Sequence, residues 1–425
     1  MVRADRDYEN CLRILKEELM PAMGCTEPIA IAYCAAVARE TLGAMPDRVL
    51  VEASGNIIKN VKSVIVPNTD GLKGIPAATA AGIVAGNASQ KLEVLASVTD
   101  EQIREIKSYL ENTDIEVSLA SSPYIFDIMV TLWKGESYSK VRIVNYHTNI
   151  VLIEKDDNIL HSSDTNCDMS SGLTDRSFLT VERILDFANT VDLADVKELL
   201  DIQIDYNMSI AEEGLKNSYG ANIGKVILNH NEPSLPVRAK ATAAAGSDAR
   251  MNGCEMPVII NSGSGNQGIT ASVPVIVYAR EIGADAEKLY RALVLSNLIA
   301  IHQKTRIGRL SAYCGAVNAG AAAGCGIAYL LDGSLDAISH TLVNALAIVS
   351  GIICDGAKAS CAGKIAYAVD AGILGYEMFC DNQQFYGGDG IVKKGAENTL
   401  ISVGRLGHEG MKETDIEILN IMIDK

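Results

Sequence analysis

The residues of this chain best suited to chemistry are cysteines that lie beside turn-forming and charged residues. The chain has ten cysteines. Four of them lie in such settings: Cys25 in Gly-Cys-Thr-Glu-Pro, Cys314 in Ala-Tyr-Cys-Gly, and Cys354 and Cys361 at the two ends of Cys-Asp-Gly-Ala-Lys-Ala-Ser-Cys. A thiolate is a nucleophile, a base and a soft metal ligand. These segments therefore indicate a site for metal or acid–base chemistry.

Cys314, Cys354 and Cys361 are separated by 40 and 7 residues. A continuous helix would hold Cys354 and Cys361 about 10 Å apart, but the Asp-Gly pair after Cys354 predicts a turn that points both thiols inward. Three thiolates around one centre suit a [4Fe-4S] cluster with one iron left open. Zinc is an alternative, although structural zinc sites usually have closer cysteine pairs. The structural alternative is three small residues in tight helix packing.

Cys25 lies just before a predicted helix that opens with Thr26. The positive end of a helix dipole lowers the pKa of a thiol there, which would make Cys25 a good base or metal ligand. A buried structural cysteine at a helix entry is an equally weighted alternative, because buried free cysteines are common.

A glycine-rich segment, Asn-Ser-Gly-Ser-Gly-Asn-Gln-Gly at 261–268, follows Ser-Asp-Ala-Arg-Met at 247–251. Consecutive backbone N–H groups in such a segment can bind an anion such as an amino-acid carboxylate. No Gly-Lys-Ser/Thr follows, so it is not a nucleotide-binding P-loop. A tight interhelical turn is the structural alternative. The candidate ligand-binding residues here are Ser262, Ser264, Asn266 and Gln267, with Arg250 or Arg309 for a carboxylate and Asp248 or Asp355 for an ammonium group.

These segments are positioned by two kinds of predicted element. Between about 46 and 160, short β-branched runs predict strands at 48–53, 61–66, 115–119, 126–132, 140–146 and 150–154, with helices at 75–86 and 100–111. After about 176, long helical patterns predominate, at 181–188, 194–215, 221–229, 285–304, 312–330, 336–350 and 362–378. The predicted fold class is therefore α+β.

The domain prediction is a mostly helical catalytic domain with a smaller α+β domain inserted after two N-terminal helices. It assigns residues 1–45 and 176–425 to the helical domain, 46–160 to the α+β domain, and the polar stretch 161–175 to a linker. If both domains contribute residues, the active site lies at their interface, where ligands often bind.

Composition narrows the class of partner. The net charge of -16 and pI near 4.9 disfavour nucleic acid, which needs a basic face. A mean hydropathy of +0.14 with 48% hydrophobic residues supports a large core. The sequence shows neither an apolar export signal nor a run of about 18 apolar residues. We therefore expect a cytoplasmic protein that acts on small molecules without a membrane, and we consider a homodimer as its assembly.

The motifs together resemble a known family. PAMGCTEP, SGNIIKN, VPNTDGLKGIP, YHTNIV, SDARM, NSGSGNQGIT, RLSAYCGA and ICDGAKASC run in order from residue 21 to 361. They resemble the L-cysteine desulfidases, which are related to the catalytic alpha part of iron–sulfur-dependent L-serine dehydratases. The resemblance covers nearly the whole chain, and several of its motifs are long and specific.

The resemblance implies an oxygen-sensitive lyase of cysteine catabolism that converts L-cysteine to pyruvate, ammonia and hydrogen sulfide at a [4Fe-4S] cluster. Carried over by position, the cluster ligands are Cys314, Cys354 and Cys361, and Cys25 is the catalytic proton acceptor. The reverse division, with Cys25 as ligand and Cys361 as spectator, stays open. Further candidates for substrate binding come from the α+β part: Asn56, Lys59, Asn60, His147 and Asn149.

Three other functions stay open at this point. An iron–sulfur L-serine dehydratase would share the cluster but expel hydroxide. A pyridoxal-phosphate lyase would need a lysine such as Lys358 or Lys59 for its imine. A non-enzymatic cysteine sensor or cluster carrier would release no pyruvate.

Overall fold

The computed structural model of the chain describes residues 1–24, 26–163, 173–308 and 311–422. It confirms the predicted α+β class. The helices and strands, in chain order, are α1 Arg6–Glu18, β1 Pro21–Met23, α2 Thr26–Leu42, β2 Arg48–Ala53, α3 Gly55–Val61, α4 Gly74–Ala85, α5 Asp100–Asn112, β3 Ile115–Leu119, β4 Asp127–Lys134, β5 Ser137–Val144, β6 Ile150–Lys155, β7 Asn158–Ser162, α6 Val181–Thr190, α7 Lys197–Lys216, α8 Ile223–His230, α9 Leu235–Met251, β8 Pro257–Ile259, α10 Gly265–Glu281, α11 Ala286–Ile307, α12 Gly315–Leu331, α13 Leu335–Val349, α14 Cys361–Cys380, α15 Ala396–Arg405 and α16 Lys412–Met422.

A six-stranded sheet in the order β3-β2-β4-β5-β6-β7 organises the N-terminal part. β3 pairs in parallel with β2, and the other neighbours are antiparallel. The strands alternate as expected for a sheet with one covered face, so Val49, Val51 and Ala53 are buried while the residues between them are partly exposed. Together with α2 and α4, these side chains form one hydrophobic core, which we call the sheet core.

A second and larger core, the helical core, is formed by α1 and by helices from residue 179 onward. Its central helices are rich in Ala and Gly, which lets their backbones approach closely. An added Cβ at Gly320 would lie 2.4 Å from a backbone atom of Ala368, and one at Gly324 would lie 2.5 Å from the carbonyl oxygen of Gly372. α12 and α14 therefore pack backbone to backbone, which fixes the positions of their N-termini.

The structure corrects the predicted grouping of the two N-terminal helices. α1 belongs to the helical core, but α2 packs in the sheet core. Cys34 donates to the carbonyl of Val141 at 3.4 Å, and the Ser139 hydroxyl donates to the carbonyl of Ala38 at 2.8 Å. The physical reason is that α2 is apolar on almost every face and needs cover from both the sheet and α4. The wider division into two domains stays a prediction.

Two other local predictions were wrong. The segment 61–66, predicted as a strand, instead ends α3 at Val61 and then makes only an isolated bridge between Ile65 and Lys73. The edge strand β7 was not among the predicted strands, the last of which was 150–154. None of the helices in the described ranges is long and apolar enough to cross a membrane.

The C-terminal segment returns the chain to the sheet core. After α15, a π-helical turn at Leu406–Gly410 leads into α16, which packs on α3. Asp415 forms an ion pair with Lys59, and an added Cβ at Gly55 would lie 2.4 Å from Leu419. The final helix therefore braces the element that carries Asn56, Lys59 and Asn60.

Candidate active site

A cavity of about 340 Å³ lies where the sheet core and the helical core meet. One wall comes from the start of α2, from α3 and from the loop between β5 and β6. The other comes from the 261–264 loop, the end of α11 and the loops before α12 and α14. Three long helices, α10, α12 and α14, begin at the cavity with Gly265, Gly315 and Cys361. Because helix N-termini carry partial positive charge, this wall favours anionic ligands.

The three predicted ligand cysteines line this one cavity. Cys314 is the N-cap residue of α12, and Cys361 is the first residue of α14. Their loops are tied together because Tyr313 and Ile353 form an antiparallel bridge. In that bridge the Cys314 amide donates to the Ile352 carbonyl at 3.1 Å, and the Cys354 amide donates to the Ala312 carbonyl at 2.6 Å. The predicted turn is present, with Gly356 at a φ of +92°.

Burial raises the pKa of the Cys314 thiol to about 12, and the neighbouring thiols of Cys354 and Cys361 add to the rise. Burial likewise raises the pKa of Cys361. In the described part of the chain, no three His, Cys, Asp or Glu side chains are arranged to hold a single metal ion. One zinc ion would need thiolates about 4 Å apart, whereas an iron–sulfur cubane is larger and holds its ligands farther apart. Cys314, Cys354 and Cys361 therefore bring three soft donors to one cavity without forming a single-ion site.

Asp355, one of two candidates for binding a substrate ammonium, does not line the cavity. Its carboxylate forms ion pairs with Lys358 and Lys364. Burial alone would raise the pKa of this carboxyl, but the hydrogen bonds from the two lysines outweigh burial and lower it to about 2. The same lysines donate to the carbonyls of Asp355, Gly356 and Ile353. These ion pairs and hydrogen bonds stabilise the 354–361 segment, which we call the cysteine loop.

The glycine-rich segment brings Ser262, Ser264, Asn266 and Gln267 to the cavity. Ser262 has a φ of +51°, a strained conformation for a residue with a side chain. A network of buried side-chain amides supports Ser262. It ends in the reciprocal hydrogen bonds between Gln203 and Asn297. Asn261 donates to Asn297 at 3.0 Å, and Ser262 donates to Asn261 at 2.9 Å. The loop is therefore held rigidly before any ligand binds.

Arg250 also lines the cavity, but its contacts differ from those of a dedicated carboxylate ligand. One guanidinium nitrogen donates to the carbonyl of Gly24 at 2.8 Å, and another donates to Asn266 at 3.2 Å. The group packs so closely under α10 that an added Cβ at Gly265 would lie 2.2 Å from its Nε. Arg250 thus joins the loop that precedes Cys25 to the glycine-rich loop.

The wall from the sheet core carries Asn56, Lys59 and Asn60. The ammonium group of Lys59 is buried and paired with Asp415. Gly356 packs on the Lys59 backbone, since an added Cβ would lie 2.1 Å from its carbonyl oxygen. The cysteine loop and α3 are thereby in direct contact, and the two walls form one site.

His147 and Asn149 are only two residues apart in the chain, but of the two only His147 lines the cavity. His147 lines the cavity with its ring edge-on to Phe126, at 4.8 Å between centroids. Asn149 is absent from the cavity lining, and its side chain donates to the Val144 carbonyl at 2.9 Å, which closes the turn between β5 and β6. This structural contact explains its position without a ligand. Two further candidates, Cys25 and Arg309, lie outside the described residues.

Asp248 is placed away from the cavity, which corrects its predicted position. It is 1% exposed, and its carboxylate accepts the amide of Gly224 at 2.9 Å. Arg250 points to the cavity, and two residues on a helix are about 200° apart around its axis, so Asp248 faces α8 instead. Burial raises the pKa of its carboxyl to about 6, against the opposing effect of that amide.

We expect Asp248→Asn to stabilise the protein against unfolding at pH 8 by roughly 1–2 kcal/mol, because the buried charge is removed while the Gly224 contact can persist. A raised folded-state pKa means that wild-type stability falls as pH rises from about 4 to 6, so the advantage should vanish near pH 4. Denaturant unfolding across this pH range measures it, with the exposed Asp205→Asn as control. If the difference in unfolding free energy between Asp248→Asn and wild type did not change with pH, the raised pKa of Asp248 would be contradicted.

Several cavity residues were missed by sequence reasoning: Glu27, Asn145, Tyr146, Lys304, Tyr313 and His408. Glu27 and Tyr146 lie within the GCTEP and YHTNIV motifs, so these motifs could have identified them as candidate site residues. Lys304 interrupts the apolar pattern of α11 and is 5% exposed. A lysine is rarely so buried, so its place in this pattern could have marked it as a candidate site residue. His408 lies on the π-helical turn, and no local pattern indicates it.

Comparison with known proteins shows which family and which relatives this chain is similar to. A family model described as serine dehydratase alpha chain matches residues 89–420. The chain is 63% identical to a UPF0597 protein of Desulfitobacterium hafniense, with 100% of this chain and 99% of the relative covered. It is 52% identical to a UPF0597 protein of Lachnoclostridium phytofermentans, over 98% of this chain and 100% of that protein. A UPF0597 protein of Fusobacterium nucleatum is 45% identical, with coverages of 97% and 98%.

Proposed function

This chain belongs to the serine dehydratase alpha chain family, and from that premise we propose that it is an L-cysteine desulfidase. The reaction would eliminate sulfide from L-cysteine, and hydrolysis of the resulting aminoacrylate would give pyruvate and ammonia. The observation that carries the proposal is the meeting of Cys314, Cys354 and Cys361 in one cavity with the glycine-rich loop and three helix N-termini.

We assign Cys314, Cys354 and Cys361 as the residues that hold a [4Fe-4S] cluster. Their loops come from two segments that a backbone bridge ties together, and Asp355 with its two lysines anchors the second loop. When bound, the cluster supplies an open iron, a Lewis acid with affinity for sulfur. The partial positive charge of the α12 and α14 N-termini opposes the burial that raises the pKa values of Cys314 and Cys361, and ligation requires their thiolate form.

The remaining groups of the cavity bind and orient the substrate. The substrate carboxylate is assigned to the glycine-rich loop, where Ser264 and the backbone of the first turn of α10 face the cavity beside Gln267. Loss of the Cα proton is assigned to Cys25, whose chain neighbour Gly24 accepts a hydrogen bond from Arg250. The rigid network under Ser262 would hold the substrate in one orientation relative to that base.

An L-serine dehydratase is the second candidate, and the description of the family model favours it. The two reactions share the elimination and differ in the leaving group. Sulfur suits a soft iron site better than hydroxyl oxygen does, so the site chemistry favours cysteine. The pyridoxal-phosphate alternative has less support, because Lys59 is paired with Asp415 and Lys358 with Asp355.

Protein purified without air should be brown, carry about four irons per chain, and release pyruvate and sulfide from L-cysteine. Under the same conditions L-serine should be a poorer substrate by kcat/KM, and exposure to oxygen should remove both colour and activity. Iron and sulfide analysis beside kinetics on the two amino acids makes the measurement. A colourless, iron-free protein with full activity would refute the cluster, and faster turnover of serine would favour the second candidate.

A further inference from the structure

The side-chain amide of Gln267 is buried at the cavity without a hydrogen-bond partner. Gln267 is 5% exposed and lines the cavity. Within the described residues, its Oε1 is buried and unpartnered, and its Nε2 takes part in no hydrogen bond. The backbone N–H of the same residue donates to the Ser264 hydroxyl at 3.5 Å, which caps α10 and leaves the amide to the cavity. A buried polar group without a partner costs free energy, so we expect a ligand of the cavity to supply one.

This amide packs on the residue that follows a proposed cluster ligand. An added Cβ at Gly315 would lie 2.6 Å from Cδ of Gln267 and 2.8 Å from its Nε2. A residue with a side chain at this position would therefore push the amide away. Cys314 precedes Gly315, is the N-cap residue of α12 and lines the same cavity. The Gln267 amide and the Cys314 thiol are thus on the same wall of the cavity.

The sulfur atoms of a cluster held on this wall would accept hydrogen bonds, and such bonds tune the reduction potential of the cluster. The backbone N–H groups of the three ligand cysteines are used elsewhere. Those of Cys314, Cys354 and Cys361 donate to the carbonyls of Ile352, Ala312 and Lys358 at 3.1, 2.6 and 3.0 Å. A carboxamide offers two N–H donors, and rotation about its last side-chain bond lets them face either side. The Gln267 amide is therefore suited to donate to a cluster sulfur.

We propose that the Gln267 side-chain amide donates a hydrogen bond to a sulfur atom of the cluster and thereby raises its reduction potential. Reduction adds negative charge to the sulfur atoms, so an N–H donor stabilises the reduced cluster more than the oxidised one. The same bond draws electron density from sulfur and leaves the open iron a stronger Lewis acid. The proposal rests on the proposed function only in placing a cluster at the three cysteines, and it holds for either amino-acid substrate.

The direct test uses wild-type protein purified without air, with the heavy stable isotope of nitrogen in its glutamine side chains. After one-electron reduction of the cluster by dithionite, pulsed electron paramagnetic resonance should detect a labelled nitrogen nucleus coupled to the cluster spin. The coupling should be absent from Gln267→Met, which keeps the length of the side chain but has no donor. It should remain in Gln90→Met, the same change at an exposed position. A reduced wild-type cluster without this coupling overturns the proposal.

A redox titration measures the effect of the bond without turnover. At the wild-type midpoint potential, the ratio of reduced to oxidised cluster should fall about twofold to tenfold in Gln267→Met, as expected for loss of one hydrogen bond. Gly315→Ala should shift the ratio in the same direction, because its added methyl group displaces an intact Gln267 amide. Gln90→Met should titrate as wild type.

Two results of the titration would overturn the proposal in different ways. If iron-loaded Gln267→Met keeps the wild-type potential while its KM for L-cysteine rises, Gln267 binds the substrate and not the cluster. If wild-type protein purified without air holds no iron, the proposal fails together with the proposed function.

Discussion

Replacing Cys314, Cys354 or Cys361 by Ala is expected to remove most of the bound iron and to abolish turnover. Each variant leaves two of the three proposed ligand thiols in the cavity, so the cluster loses one of its three protein anchors. The three positions should be equivalent in iron content because all three line the same cavity. Iron and acid-labile sulfide per chain, measured after anaerobic purification, give the result directly.

Cys380→Ala is the matched control for these three variants. Cys380 ends the helix that Cys361 begins, is exposed, and lies about 28 Å away along the helix axis. It should keep both iron and activity. If one of the three cavity variants also keeps its cluster, that cysteine is not a ligand, and the assignment of the remaining ligand passes to Cys25.

Replacing Cys25 by Ser should leave iron content near wild type while lowering kcat by about 10²–10⁴-fold, the usual effect of losing a general base. Serine is close to cysteine in size but is a far weaker base at neutral pH. L-Cysteine should still bind, because its carboxylate is assigned to the glycine-rich loop and not to Cys25. The absorbance change of the brown protein on adding L-cysteine should therefore persist in this variant.

Cys380→Ser makes the same chemical change at an exposed position and should retain wild-type kcat. An iron-free Cys25→Ser protein, together with a fully active Cys361→Ala protein, would reverse the assignment. The proton acceptor would then have to be sought among other residues, of which Lys59, His147 and Ser311 line the cavity.

Local sequence predicted several of the segments that meet at the cavity, for a physical reason. Cys314, Cys354 and the glycine-rich loop stand beside turn-forming residues, and turns at helix starts are where backbone groups face a ligand. The resemblance built on these motifs was also confirmed as far as the relation to serine dehydratase alpha chains. The choice of cysteine as substrate stays a prediction.

Local sequence failed where position depends on how distant elements pack. Asp248 and Arg250 share a short polar motif, but helix geometry points only Arg250 to the cavity. His408 reaches the cavity because a π-helical turn near the end of the chain lies against Gly308. α2 was assigned to the wrong core because a helix with apolar residues on almost every face gives no sign of which partner will cover it.

The contact between α16 and α3 also affects the order in which parts of the structure can form during synthesis. Lys59 and Asp415 are 356 residues apart in the chain, which a ribosome covers in roughly 20 to 70 seconds. The sheet core can fold during this interval, but α3 lacks its partner helix until α16 has been made. The cavity wall that carries Asn56 and Asn60 is therefore braced by α16 only long after the strands of the sheet core have been synthesised.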